Sequence, residues 1–264
     1  MRAWSEDWHK RGYVLVSHLL DDVWENAEHA MRALFPPDCP GTQFGGKPFP
    51  TCTALDHVTL HPNILAFARY CLGDCLGDVL LTQSEAWCKT TPTDQRMHMD
   101  FGNHSFTRPP TQPECVAAIV YFDDVQHTGG ATAVVPFSTQ HYPKDAWTRM
   151  PGIGTPFAND RAAAEVGQDP FRQSLYDAEI HIQAKKGDVL FYRHDVWHRG
   201  TPVFPGKSRR VLNLVFKKPD AHHIYTWSQG FARHNYHGRV ENMVRALTDD
   251  QRRALGIPKG RCRL

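Results

Sequence analysis

At 264 residues the chain is long enough to bury one full hydrophobic core, and barrels or sandwiches often reach this size undivided. Thirty Lys plus Arg against 28 Asp plus Glu leave a formal charge of +2, too balanced to point to nucleic acid or a membrane surface as partner. No segment approaches the roughly 18 apolar residues of a membrane span, the opening MRAWSEDWHKRGYVLV lacks a signal-peptide core, and the seven scattered cysteines contain no CxxC pair, which together predict a cytoplasmic protein with free thiols.

In chain order, Gly12 to Ser17 reads as a short β-branched strand. Asp22 stands three before Glu25 in a capping-box-like start, and Val23, Ala27, Ala30, Met31 and Leu34 follow at helical spacing until Pro36 and Pro37 stop them. Residues 38–60 are rich in Pro, Gly and Thr and read as loop. Pro62 to Cys71 predicts a second helix, closed by Gly73. Cys71 and Cys75 in CLGDC read as buried thiols rather than a metal or redox pair.

Gly77 to Lys89 predicts a long strand with Gln83, Glu85, Trp87 and Lys89 on one face and Ser84, Ala86 and Cys88 on the other. So polar a row suits a cavity lining; a solvent-facing edge strand is the alternative, which Trp87 disfavours. After a loop, Cys115 to Phe122 is apolar throughout and predicts a strand buried on both faces. Asp123 and Asp124 open a turn that Gly129 and Gly130 close, so Ala131 to Val135 is expected to return as a hairpin. Residues 137–177 have no clear period and read as an insertion over one mouth of the core, a lid or simple packing decoration.

Strands resume over Glu179 to Gln183, Asp188 to Tyr192 and Arg210 to Lys217. Residues 238–256 then return to helical spacing, with Thr248 and Gln251 positioned as a capping box. Helices at both ends of about eight short strands, without βαβ alternation, predict a mainly β fold. The expected architecture is a single domain over 1–264: a double-stranded β-helix (jelly roll) with core strands roughly over 77–217, buttressed by the terminal helices.

The chemistry centres on Met97-His98-Met99-Asp100. If extended, this stretch puts His98 and Asp100 on one face. With His198, in HDVWHRG at a strand end, they make the two-His, one-carboxylate composition of a facial site that leaves positions of an octahedral Fe(II) open. His194 and His198 are a rival i, i+4 pair, but the sequence around them is not helical and lacks the HExxH glutamate. Arg209, eleven residues after His198, offers a planar fork to a carboxylate. Alternation lets only one of Arg209 and Arg210 face inward; if it is Arg209, then Val211, Asn213 and Val215 share its face.

Three segments resemble the phytanoyl-CoA dioxygenase family of Fe(II)- and 2-oxoglutarate-dependent oxygenases: Gln83–Lys89 with the following HxD, Asp123 to Ser138, and GDVLFYRHDVWHRGTP running to Arg209. WHKRGYVLVSHLL near the start and LTDDQRRALGIP near the end are also similar to family members. The resemblance implies His98, Asp100 and His198 as iron ligands, Arg209 as the 2-oxoglutarate anchor, and Gln83 and Lys89 lining the cosubstrate pocket. Met99 stands where the family often has Gln, Thr139 where a PGSH block has His, and Gly200 where a Ser is common; Thr201 is the candidate to replace that hydroxyl.

An intact Asp100 implies hydroxylation rather than halogenation, with O2 consumed and succinate and CO2 released. The expected partner is a small-molecule substrate, with Trp87, Phe101, His104, Tyr121 and Trp227 as candidate contacts. A non-catalytic jelly-roll binding module and a metal-dependent hydrolase or isomerase are the alternatives; neither requires Arg209.

Overall fold

The computed structural model describes residues 2–37, 39, 46–73, 77–100, 113–137, 161, 168–221 and 239–257. The strands are β1 (Tyr13–Val16), β2 (Lys47–Pro48), β3 (Leu80–Lys89), β4 (Cys115–Tyr121), β5 (Thr132–Val134), β6 (Ile180–His181), β7 (Val189–Arg193), β8 (His198–Gly200) and β9 (Arg209–Lys217). They form a six-stranded sheet in the order β1-β7-β4-β9-β3-β2 and a three-stranded sheet in the order β6-β5-β8, with every pairing antiparallel. Two antiparallel sheets flanked by helices are the jelly roll that the strand pattern predicts.

Period-2 alternation decides what each face of the large sheet meets. One face carries Val14, Val16, Ala86, Cys88, Val116, Ala118, Val120, Phe191, Leu212, Leu214 and Phe216. These share one core with Ala27, Met31, Leu55, Ile64, Leu65 and Ala68 from the covering helices. The opposite face turns toward the small sheet, where Ala117, Ile119, Tyr121, Leu190, Tyr192, Val211 and Val215 pack with Val134 and Val196. Because β4 and β7 lie inside the sheet, β4 is buried at every position, which is why CVAAIVY reads as continuously apolar.

Strand register then fixes rows across the inner face. Tyr13, Tyr192, Ala117, Val215 and Gln83 lie side by side in one row; Leu15, Leu190, Ile119, Asn213 and Glu85 make the next. Tyr121, Val211 and Trp87 follow, and Arg209 lies opposite Lys89 at the end.

Several local expectations change. Arg2–Arg11 is helical, and Thr53–Thr59 forms a helix inside the stretch read as loop, with Leu55 and Val58 fully buried. The helix over Trp24–Leu34 takes Val23 as its N-cap with no side-chain cap; Asp22 instead accepts from His61 Nε2 at 3.1 Å, so long-range pairing replaces the capping box. The expected β4–β5 hairpin does not form. A short helix, Val125–Thr128, carries the chain from the large sheet to the small one. Within 137–177, Pro170–Asp177 is a helix started by Asp169, whose carboxylate accepts from Phe171 N at 3.0 Å. The second helix runs over Pro62–Cys71 as expected. The capping box at Thr248 forms, with Gln251 N donating to Thr248 Oγ1 at 3.3 Å and Thr248 N to Gln251 Oε1 at 2.9 Å.

Candidate metal centre

The chain before His98 runs antiparallel to β8, and His98 and His198 face each other in an isolated bridge. His98 N donates to His198 O at 3.0 Å and His198 N to His98 O at 2.8 Å. Directly opposed residues point to the same side of a ladder, so the two rings meet with centroids 4.4 Å apart. The flanking Met97, Met99 and Trp197 point the other way and are buried with Val135, Leu175 and Tyr176. Burying each such side chain is worth roughly 1.5–3 kcal/mol, and it locks which face the imidazoles take.

Asp100 reaches the same space by a different route from the one the alternation suggested. Its backbone already begins a helical turn rather than continuing a strand. Its Oδ2 lies 3.5 Å from His198 Nε2 and its Oδ1 3.9 Å from His98 Nε2. One ligand atom from each of His98, Asp100 and His198 falls within 4.8 Å of the others, a group that could hold a metal ion. Both imidazoles are oriented for it. His98 Nδ1 lies 2.7 Å from Arg96 O, and His198 Nδ1 3.0 Å from Val196 O. A carbonyl only accepts, so each Nδ1 carries a proton, which leaves Nε2 as the nitrogen of each ring that a metal would take. The donor set of two neutral imidazoles and one carboxylate fits Fe(II) and leaves coordination positions open.

Tyr192 braces the site from below. Its hydroxyl donates to Asp100 Oδ2 at 3.0 Å, and its ring centroid is 4.7 Å from that of His198. Burial first, then the Asp100 charge and this hydrogen bond, push the phenol well above its ordinary range, so it stays a donor at neutral pH. Tyr192→Phe keeps the packing and removes the bond. It is expected to weaken metal binding about tenfold, the low end for losing a partner of a ligating group; calorimetry with Co(II) reads this directly.

A second brace holds β8 in place. Arg199 donates from Nε and Nη2 to the two Glu179 carboxylate oxygens, both at 2.7 Å, and pairs with Asp94 through Nη1. Burial alone would raise the Glu179 carboxyl, but the bonds from Arg199 and His181 outweigh it and hold it below the usual range. Tyr176, whose ring centroid is 5.7 Å from the Arg199 guanidinium, accepts from Met97 N at 3.0 Å.

Beyond Gly200 lies a cationic end. Lys89 Nζ donates to Thr201 O at 2.8 Å, and Arg209, its register partner, donates from Nη1 to Gly130 O. Arg209 Nε is buried without a hydrogen-bond partner among the described residues. Burial foremost, and then the Arg209 charge, hold the Lys89 ammonium down to about 7, with Asp94 opposing. Burial likewise pulls the Arg209 guanidinium below its ordinary value, against Tyr121 and Asp123, yet it remains charged at neutral pH. Two basic groups, one with an unsatisfied donor, repel each other where a bound anion would relieve them.

A profile of the phytanoyl-CoA dioxygenase family matches residues 8–211. The chain belongs to the phytanoyl-CoA dioxygenase family. No curated protein sequence matches it. Solved structures share the fold at low identity. The non-heme alpha-ketoglutarate-dependent carbocyclase SnoK from nogalamycin biosynthesis aligns at TM-score 0.63 and 14% identity, covering 88% of this chain and 90% of its own. HygX from Streptomyces hygroscopicus, with nickel and 2-oxoglutarate bound, gives 0.60 and 14% over 84% and 89%. The epimerase SnoN, solved with Fe3+, alpha-ketoglutarate and nogalamycin RO, gives 0.59 and 18% over 82% and 83%.

The other residues singled out from the sequence of this family member fall as follows. Gln83 sits in the Tyr192 row of the inner face, half-buried. Thr201 Oγ1 donates to Ala131 O at 2.9 Å, so its proton is already committed. Trp87 lies half-buried against the inner cluster and donates to Glu85 Oε2 at 3.0 Å. Tyr121 is wholly buried, its hydroxyl 2.8 Å from Thr132 Oγ1. Phe101, His104 and Trp227 lie outside the described residues. Arg210 takes the helix-covered face, buried against Asp123 and Phe35 O. His194 is not part of the metal-competent group, and its segment is a turn rather than a helix.

Sequence reasoning missed Tyr192, the Arg199 brace and Gln95, whose side-chain Oε1 accepts from Gly200 N at 2.7 Å. Tyr192 was within reach: it alternates with Leu190 on the inward face, six residues before His198. The other two depend on pairings across about a hundred residues that spacing alone does not give.

Proposed function

We propose that the protein is a non-haem Fe(II)- and 2-oxoglutarate-dependent dioxygenase that oxidises a small molecule. The observation carrying this is the convergence of His98, Asp100 and His198, with both imidazole Nδ1 atoms on backbone carbonyls and both Nε2 atoms turned toward Asp100. Fe(II) held there supplies open positions for a chelating 2-oxo acid and dioxygen, and the redox chemistry that removes a substrate hydrogen. The rest falls to the chain. Arg209 and Lys89 receive the far carboxylate of 2-oxoglutarate, Arg209 through its planar fork and Lys89 as a point charge. Lys89 is anchored on Thr201, three residues beyond His198, or about 10 Å of strand; that separation suits a five-carbon dicarboxylate chelating at one end. Tyr192 holds the Asp100 carboxylate so that one oxygen remains for the metal.

The apolar Ile119, Val211 and Val215 around these groups restrict water, while Gln83, Glu85 and Asn213 supply hydrogen-bonding partners along one strip of the inner face. A small substrate bearing hydroxyl or amino groups fits that strip, with Trp87 at its edge. Hydroxylation balances as substrate C–H plus O2 plus 2-oxoglutarate giving substrate C–OH, succinate and CO2. Oxidation without oxygen insertion, such as ring closure with loss of two substrate hydrogens, is the second reading, favoured by the fold shared with a carbocyclase. Anaerobic loading with Fe(II) and 2-oxoglutarate, followed by O2 and a metabolite panel, tests both. Succinate should form, and 18O from O2 in the product separates hydroxylation from the second reading. Metal-loaded protein that binds no 2-oxoglutarate sinks the proposal.

The lysine makes cosubstrate binding pH-dependent. In the empty protein Lys89 loses its proton near 7, whereas a bound dicarboxylate favours the ammonium. Above pH 7 binding therefore takes up a proton, and 2-oxoglutarate affinity is expected to fall up to about tenfold per pH unit. Lys89→Met should bind more weakly at pH 6.5 and lose that slope. The sign for stability is opposite: between about 7 and 10.5 the unfolded chain binds more protons, so the empty protein gains stability as pH rises through that window.

A further inference from the structure

We infer that Gln95 is a positioning residue for the metal centre, a side-chain stand-in for a backbone carbonyl that frees Arg96 O to orient His98. The inference rests on His98 being a ligand and goes beyond that reading. In a regular antiparallel ladder, a hydrogen-bonded pair at His98 and His198 repeats two residues on, so Arg96 and Gly200 would exchange both backbone bonds. They do not. Gly200 O accepts from Gln95 N at 3.0 Å, and Gly200 N donates to the Gln95 side-chain Oε1 at 2.7 Å. Gln95 and Arg96 together oppose one residue, as in a β-bulge, a device that re-aims groups beside functional sites.

What the bulge re-aims is the Arg96 carbonyl. Released from Gly200, it lies 2.7 Å from His98 Nδ1. That contact puts the proton on Nδ1 and leaves Nε2 for the metal. Gln95 is well matched to the task, since its amide oxygen is an acceptor on a tether long enough to close the gap.

Gly200 completes the device. A Cβ there would stand 2.6 Å from Gln95 Oε1, closer than real contacts allow, so the two positions are mutually dependent. This gives the glycine a role: it makes room for the surrogate carbonyl. Arg199, next to Gly200, ties this strand to Asp94, next to Gln95, and to Glu179 just before β6.

The test uses the full chain and Co(II), whose visible spectrum reports the ligand set. Gln95→Met keeps length and loses the acceptor; Gln95→Glu keeps an oxygen that can accept from Gly200 N. The Met variant is expected to bind Co(II) about tenfold or more weakly. Long-range proton–nitrogen correlations in the metal-free protein at fixed pH should show the His98 proton redistributed between its two nitrogens. The Glu variant should stay within about threefold of wild type, a rescue that a merely structural role would not show. Wild-type Co(II) affinity and an unchanged His98 tautomer in the Met variant would falsify the inference, as would equal losses in the Met and Glu variants. If the Met variant does not fold, Gly200→Ala, which displaces Oε1, decides by the same two readouts. His98→Ala is the control for the underlying reading: if it binds Co(II) like wild type, the ligand assignment fails, whatever Gln95 does.

Discussion

Arg209→Ala is expected to weaken 2-oxoglutarate binding to the metal-loaded protein at least 100-fold while leaving the fold intact. The guanidinium is buried, with one donor unsatisfied among the described residues and a neighbouring Lys89 whose charge it repels. A carboxylate arriving there relieves both, so the charge-assisted bond is gained without displacing an existing partner. Truncating one member of such a buried charge pair costs about 2–5 kcal/mol, and about 3 kcal/mol is the quoted factor of 100.

Stability of the empty protein should respond the other way. Removing this buried cation relieves a desolvation penalty that outweighs the lost Nη1 bond to Gly130 O, so the thermal midpoint should hold or rise. Lys89, freed of Arg209, should regain part of its ordinary proton affinity. Arg209→Lys keeps charge but not the planar fork, and should fall between wild type and Ala. Calorimetric titration of 2-oxoglutarate into Ni(II)-loaded variants measures the series. An Ala variant within threefold of wild type would mean that the anion binds elsewhere.

Much of this arrangement was legible in the sequence because period-2 alternation is a strong code. It placed Gln83, Glu85, Trp87 and Lys89 on the inner face of β3 and separated Arg209 from Arg210, and the strand register agrees in each case. It failed where a residue leaves the strand. Asp100 is helical rather than extended, so two-residue spacing led to the right neighbours by the wrong geometry. Asp22 has the spacing of a cap, but a long-range histidine competes for its carboxylate. Local rules cannot weigh a partner 39 residues away.

The same limit explains Gln95. Nothing in TDQRMHMD marks the glutamine as part of a ladder; only the strand at Gly200 gives it meaning. The turn chemistry at Asp123 to Gly130 was read correctly as a reversal, yet which sheet receives the returning strand is a matter of topology rather than local sequence. Loop-closing residues announce that the chain turns; the choice of partner is made by the surfaces it then buries.

Asp100→Ala and His198→Ala are each expected to abolish stoichiometric metal binding with little change in the metal-free fold. The bridge between the two histidine segments is made by backbone groups, His98 N to His198 O and the reverse, so it survives loss of either side chain. The residues that set the direction of the rings, Met97, Met99 and Trp197, are untouched. What is lost is one of three ligand atoms now within 4.8 Å of each other.

Metal stabilises only a state that binds it, by about 2.7 kcal/mol at a hundredfold excess over Kd. For a chain of this length that is a rise of roughly 5–10 °C in the thermal midpoint. Wild type should show it with Co(II) or Ni(II), and the two variants should not. Asp100→Asn is the finer probe, since it keeps an oxygen for the Tyr192 hydroxyl but removes the anionic ligand. It should retain the wild-type melting temperature without metal and lose most of the metal-induced rise. A full rise in either alanine variant would place the metal on other residues, and Arg209 and Lys89 would then need a different anion to explain them.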